Sequence, residues 1–293
     1  MQEAAVTRWG RIARIAAVAG TALTLVGIGT PALASAERQV YVAMGDSFSA
    51  GSVVLPQSDL FTCARSAINY AGLLAKQIEV DELRDVTCGG ATTTHFTNPQ
   101  KGIVTGTNPP QYDALSADTT LVTVGIGGND IGLVGLATSC VNLLPVGASC
   151  KAANTAGGVD KYATKIDAFA ATYGTVIETI RQRAPKAEIV MVGYPTGIKS
   201  GGCWPLVPVL PQDADYIQAN IDRLNARMAE QSAAHGAKYV DIRTPSIGHD
   251  ACQPIGVKWI EGLIPSVVNN SFAPLHPNAA GLAAVVPSIR KVL

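Results

Sequence analysis

The sequence predicts a single α/β domain in which a parallel sheet carries helices on both faces, a three-layer α/β/α sandwich. Three observations predict it. Short apolar runs recur along the chain and are stopped by glycines or polar turns. Between them lie stretches whose apolar residues return at helical steps. No Pro/Gly/Ser linker, composition break or internal repeat divides the chain. Strands that alternate with helices run parallel, because each helix carries the chain back across the sheet.

The elements follow in order. Arg8, Arg11 and Arg14 precede an uncharged apolar stretch over 15–29, and Ala34-Ser35-Ala36 then supplies small residues for cleavage. That stretch is short of the ~20 residues of a membrane span, so a signal peptide cut after Ala36 is predicted in preference to a retained anchor. Residues 37–293 form the expected mature domain, soluble and secreted. Val40-Tyr41-Val42-Ala43-Met44 reads as a strand buried on both faces, where apolar residues run continuously instead of alternating. A helix is predicted over 67–78, a strand over 83–87 and a strand over 121–126. Val159, Tyr162, Ile166, Phe169, Tyr173, Val176, Ile177 and Ile180 mark a helix that Pro185 ends. A strand follows over 188–193. Ile217, Ile221, Leu224 and Met228 form the stripe of the next helix, closed near Gly236. The last strand spans 238–242 and the last helix 278–292, with a kink expected at Pro287.

Composition excludes several classes. The 22 basic residues balance 22 acidic ones, charged residues make up 15% and hydrophobic residues 47%. Disorder needs the opposite balance, and nucleic-acid binding needs an excess of cations to neutralise phosphates. Six cysteines, Cys63, Cys88, Cys140, Cys150, Cys203 and Cys252, all lie beyond the leader. In an exported chain an even number implies disulfides, although six allow 15 pairings. No Cys-x-x-Cys pair or Cys/His cluster suggests a metal.

Ligands of such sheets bind beyond the carboxyl ends of the strands. There stand Gly45-Asp46-Ser47-Phe48-Ser49, then Cys88-Gly89-Gly90-Ala91, then Gly127-Gly128-Asn129-Asp130, and near the end Leu275-His276-Pro277-Asn278. Each alone can be a turn or a helix cap. The first is not the G-x-S-x-G elbow, since position 49 is Ser. Together they align a serine, a Gly-rich N–H donor, an amide and an imidazole in an order that acyl transfer can use.

These blocks resemble the GDSL/SGNH hydrolases, serine esterases and lipases named for Ser, Gly, Asn and His, and the likeness covers the whole mature chain. With the cysteines and leader it looks like the secreted actinobacterial branch. That resemblance implies a flavodoxin-like parallel five-stranded sheet and the sequential disulfides Cys63–Cys88, Cys140–Cys150 and Cys203–Cys252. It implies Ser47 as nucleophile, His276 as base, and an oxyanion hole from Ser47, Gly90 and Asn129, with no cofactor and no metal. Most members carry Asp three residues before the His. Here that residue is Ala273, so the Ala273 backbone carbonyl is expected to orient His276, as in a branch that uses main-chain support. Asp250 and Asp241 are fallback partners. His95 could line the cleft or sit on a loop surface, His235 complements a helix end, and His249 beside Asp250 is a poor catalytic pair because neighbours in sequence rarely face each other.

Two loops, 203–210 and 255–268, are unusually apolar, with Trp204, Leu206, Trp259, Ile260, Leu263 and Ile264 among their residues. They suit an acyl pocket, an interfacial patch or a satellite core. The expected substrate is therefore a small-molecule or lipid ester, with transient contact to a lipid interface, no nucleic-acid partner and a monomeric state. A polysaccharide O-acetyl esterase is the second reading, weakened by an aromatic content of only 5%. A non-catalytic binding protein on the same scaffold is the third.

Overall fold

In a computed structural model that describes residues 38–293, the five predicted strands become one parallel sheet: β1 Val40–Gly45, β2 Glu82–Asp85, β3 Leu121–Gly125, β4 Glu188–Val192 and β5 Lys238–Val240. The leader expected at 1–36 lies outside the described residues. The spatial order is β2-β1-β3-β4-β5, which is the flavodoxin-like order. Among the described residues no helix is long and apolar enough to cross a membrane.

Alternate residues of each strand serve opposite layers. Tyr41 and Ala43 of β1, with Val190 and Val192 of β4, pack toward α2 (Tyr70–Gln77) and α8 (Ala279–Arg290). Val42, Met44, Val122, Val124 and Met191 pack toward α6 (Lys161–Arg183) and α7 (Pro211–Ala234). Both faces are thus covered, which is why these strands carry so little charge. The stripe of α6 that reads Ile166, Tyr173, Val176, Ile177 and Ile180 is the buried one.

Helix starts follow their caps. The helix expected from residue 67 begins at Tyr70, because the Asn69 side chain accepts from the Gly72 N–H at 2.9 Å. Asn278 caps α8 in the same way, accepting from Gly281 at 3.0 Å. Pro287 lies inside α8. Four short helices escape the periodicity: α1 Ser47–Ala50, α3 Gly128–Ile131, α4 Leu133–Ser139 and α5 Cys150–Asn154. So do two small antiparallel ladders, between 57 and 66 and between 100 and 108.

Disulfides join Cys63 to Cys88, Cys140 to Cys150 and Cys203 to Cys252. The first lies beside the loop after β2, where the Gly89 N–H also donates to the Cys63 carbonyl at 2.8 Å. The second spans from the end of α4 to the start of α5. The third ties the loop after β4 to the loop after β5.

Candidate active site

In this strand order the chain reverses its winding between β1 and β3, and the crevice at their carboxyl ends is where such sheets place ligands. Ser47 stands there as the first residue of α1, directly after β1. Asp46 is the N-cap, its carboxylate accepting from the Phe48 N–H at 2.9 Å. Ser47 is 8% exposed, so little of the nucleophile candidate faces solvent.

The imidazole arrives from the other end of the chain. His276 Nε2 lies 2.8 Å from Ser47 Oγ across 229 positions of sequence. Its Nδ1 lies 2.7 Å from the Pro274 carbonyl oxygen, which fixes the Nδ1–H tautomer and leaves Nε2 free to accept from the hydroxyl. The Phe48 ring packs 4.9 Å from the imidazole. Desolvation within this enclosure pushes the His276 pKa below the ordinary imidazole value, against the opposing effect of the Pro274 carbonyl.

The remaining blocks lie on the loops after β2 and β3, the two strands that flank β1. Gly90 adopts φ +73° in the loop after β2, a left-handed conformation open to glycine at little cost. Asn129 lies in α3, after β3, and its amide donates to the Ala91 carbonyl at 2.9 Å. That bond uses one of two amide hydrogens and leaves the other for a ligand. Asp130 accepts from the N–H and the hydroxyl of Thr93, at 3.0 Å and 2.6 Å, tying the β3 turn to the β2 turn. Beside the pair runs an apolar cleft lined by Phe48, Leu133, Ile198, Val207, Ile221 and Leu275.

The GDSL-like lipase/acylhydrolase family matches residues 43–284, a span that holds all four blocks. The chain belongs to this family. It is 37% identical over 255 residues to Lipase 2 of Streptomyces coelicolor, covering 82% of this chain and 81% of that one. Its fold is similar to that of phospholipase A1 from Streptomyces albidoflavus, with 28% identity, a TM-score of 0.68, and 87% of this chain and 99% of that chain covered. The extracellular lipase of Streptomyces rimosus is similar at 27% identity and a TM-score of 0.65, covering 87% and 100%. The chain is thus a carboxylic ester hydrolase of the GDSL lipase/esterase type.

Within this hydrolase one expected contact is shifted by a residue. The carbonyl against His276 is that of Pro274, not Ala273. Leu275 has φ +61°, and this left-handed turn swings the preceding carbonyl toward the ring. Ala273 is buried at 8% exposure behind it. Neither aspartate reaches the imidazole: Asp250 accepts from the Cys252 N–H and the Gln253 amide, each at 3.0 Å, and Asp241 caps Thr244 at 3.0 Å.

The other histidines have local work. His95 Nδ1 accepts from the Thr92 N–H at 3.0 Å. His235, at the end of α7, pairs with Glu178 at 2.9 Å. His249 stacks on Trp259 at 3.9 Å. Of the two apolar loops, Val207, Val209, Ile260 and Leu263 line the cleft, whereas Leu206 and Ile264 point outward at 64% and 88% exposure.

Sequence reasoning missed Tyr194, two residues past β4. Its hydroxyl accepts from the Gly128 N–H at 2.8 Å and donates to Asp46 Oδ2. No local pattern marks it. The available signal is its place just beyond a buried strand, at the same sheet edge as the other blocks.

Proposed function

We propose that this protein is a secreted serine esterase or lipase that cleaves acyl esters through a Ser47 acyl-enzyme. The observation that carries the reading is the 2.8 Å contact between Ser47 Oγ and His276 Nε2. Ser47 attacks the ester carbonyl while His276 takes its proton. The resulting oxyanion is held by the N–H groups of Ser47 and Gly90 and by the free amide hydrogen of Asn129. His276 returns the proton to the leaving alcohol, and water repeats the attack to free the acid. The Pro274 carbonyl orients the ring and gives partial support to the imidazolium that forms.

The acyl side of the substrate fits the cleft beside Phe48, whose lining is almost wholly apolar. This favours a lipid-like acyl chain over a sugar-borne acetyl group, and phospholipase A1 among the similar structures belongs to the same ester class. Exposed Leu143, Leu144 and Val146, with Leu206, Ile264 and Val268, lie on loops whose neighbouring residues line the cleft. They suit transient contact with a lipid surface. Three disulfides support an oxidising, extracellular setting after removal of the leader near Ala36. One chain supplies every group of the site, which supports a monomer.

Hydrolysis of p-nitrophenyl esters of graded chain length tests the reading, with Ser47→Ala as control. Turnover that falls by several orders of magnitude in the variant, and that favours longer acyl chains, is expected. Wild-type rates equal to the variant's point to a binding protein, and acetyl preference points to a sugar deacetylase.

A further inference from the structure

We propose that Tyr194 is a positioning residue of the oxyanion site, a strut whose hydroxyl fixes the Ser47 turn against the Asn129 turn. The inference rests on the reading that both turns face one ester carbonyl.

A tyrosine hydroxyl has one hydrogen to give and lone pairs to accept with. Here both capacities serve the site. Gly128, whose N–H it accepts at 2.8 Å, directly precedes Asn129, and Asp46, to which it donates, directly precedes Ser47. The same Asp46 carboxylate caps α1 through the Phe48 N–H at 2.9 Å. The strut therefore runs from one donor turn through a carboxylate to the helix start that carries the nucleophile.

Its mounting is rigid. Asn225 of α7 clamps the Tyr194 backbone on both sides, accepting from its N–H at 2.7 Å and donating to its carbonyl at 2.8 Å. The ring packs edge-on against Phe48 at 5.1 Å, and Phe48 in turn touches the His276 ring. Tyr194 is 2% exposed. Gly128 is fitted to it: a Cβ there would stand 3.1 Å from the hydroxyl and 3.3 Å from the ring carbon that bears it. Glycine at 128 thus lets the phenol close on the N–H.

Two other bonds join the strand ends below, from the Asp46 N–H at 2.9 Å and the Ser49 hydroxyl at 3.1 Å to the Gly125 carbonyl. They hold β1 to β3 below the turns, whereas the Tyr194 hydroxyl bridges the Ser47 and Asn129 turns themselves. Asp46 has no cation against it; burial pushes its carboxyl up to about 7, opposed by the hydrogen bonds from Tyr194 and Phe48. Desolvation, with the charge of ionised Asp46, raises the phenol's own pKa, so Tyr194 keeps its hydrogen.

The test is a double-mutant cycle on p-nitrophenyl ester hydrolysis with Tyr194→Phe, Asn129→Ala and both together. Phenylalanine keeps the ring packing and removes only the hydroxyl. A displacement of the donors by well under 1 Å suffices to lower kcat by about 10–100-fold, with KM held within about twofold. In the Asn129→Ala background that loss shrinks by at least about threefold, because there is no amide left to place. A folded Tyr194→Phe enzyme with wild-type kcat overturns the proposal, as does a loss undiminished in the Asn129→Ala background. If Tyr194→Phe does not fold, Asp46→Asn, which keeps a carbonyl oxygen for the Phe48 cap, is read by the same cycle and the same criteria. A wild-type enzyme with no turnover above Ser47→Ala strikes the esterase reading instead.

Discussion

His276 sets how the site responds to pH. Enclosure lowers its pKa, so the neutral imidazole, the form the proposed mechanism needs to take the Ser47 proton, persists below the ordinary value of ~6.5. The rate is lost as pH falls through the folded-state pKa, because the protonated ring can no longer accept. The acid limb of kcat/KM is therefore expected to have its midpoint below about 6.5, measured on an uncharged ester. A midpoint above that value that persists in Asp46→Asn, which removes the other group raised into this range, contradicts the enclosure argument. The pH dependence of stability has the same sign, since the unfolded chain takes up this proton first as pH drops. At this scale the meeting of Ser47 with His276 was legible because each sits in a short block with its own chemistry. Pro274 was not, because the choice between two adjacent carbonyls depends on the φ of Leu275, which no side-chain pattern encodes. Tyr194 was hidden for another reason: its partners are Gly128 and Asp46, on two other strands.

Among the elements, the loop from Lys258 to Asn278 has as regular structure only a 3₁₀ turn at Val267–Asn269 and isolated bridges of Ile260 to Pro277 and of Ser271 to Val54. It is organised around one buried carboxylate. Glu261, with 0% exposure, accepts from Lys258 at 2.6 Å, from the Ser266 N–H, and from the Asn269 and Asn278 amides at 2.9 Å. Its own N–H donates to the His276 carbonyl at 2.9 Å. Glu261→Gln leaves the Lys258 ammonium buried beside a neutral amide, and a loss of about 3 kcal/mol or more is expected in denaturant unfolding. A change under ~1 kcal/mol shows that the loop is held elsewhere. Burial opposes ionisation of Glu261, yet its hydrogen bonds to Lys258, Asn269 and Asn278 outweigh it and hold the pKa below the usual range. Its stabilising effect is thus complete above about pH 4.3 and fades as pH falls through the lower folded value. Long elements such as α6 and α7 were readable from their stripes. Helices of four or five residues such as α1, α3 and α5 were not, since one turn cannot display a period.

For the whole molecule, strand alternation predicted the layers, and the order β2-β1-β3-β4-β5 explains why remote blocks meet. The crevice loops are then stapled at a distance from one another. Cys203–Cys252 closes 49 residues between the loops after β4 and β5. Replacing both cysteines by serine is expected to cost up to about 4 kcal/mol by the loop-entropy account. Thermal unfolding with and without the pair checks it, and an unchanged midpoint removes the staple from the explanation. The distance of 229 positions between Ser47 and His276 has a temporal consequence as well. Synthesis and any passage through a membrane proceed from the amino end, so the hydroxyl exists long before its proton acceptor can reach it. Until the segment that carries His276 has docked, a growing chain holds the Ser47 hydroxyl without the imidazole that contacts it in the finished fold.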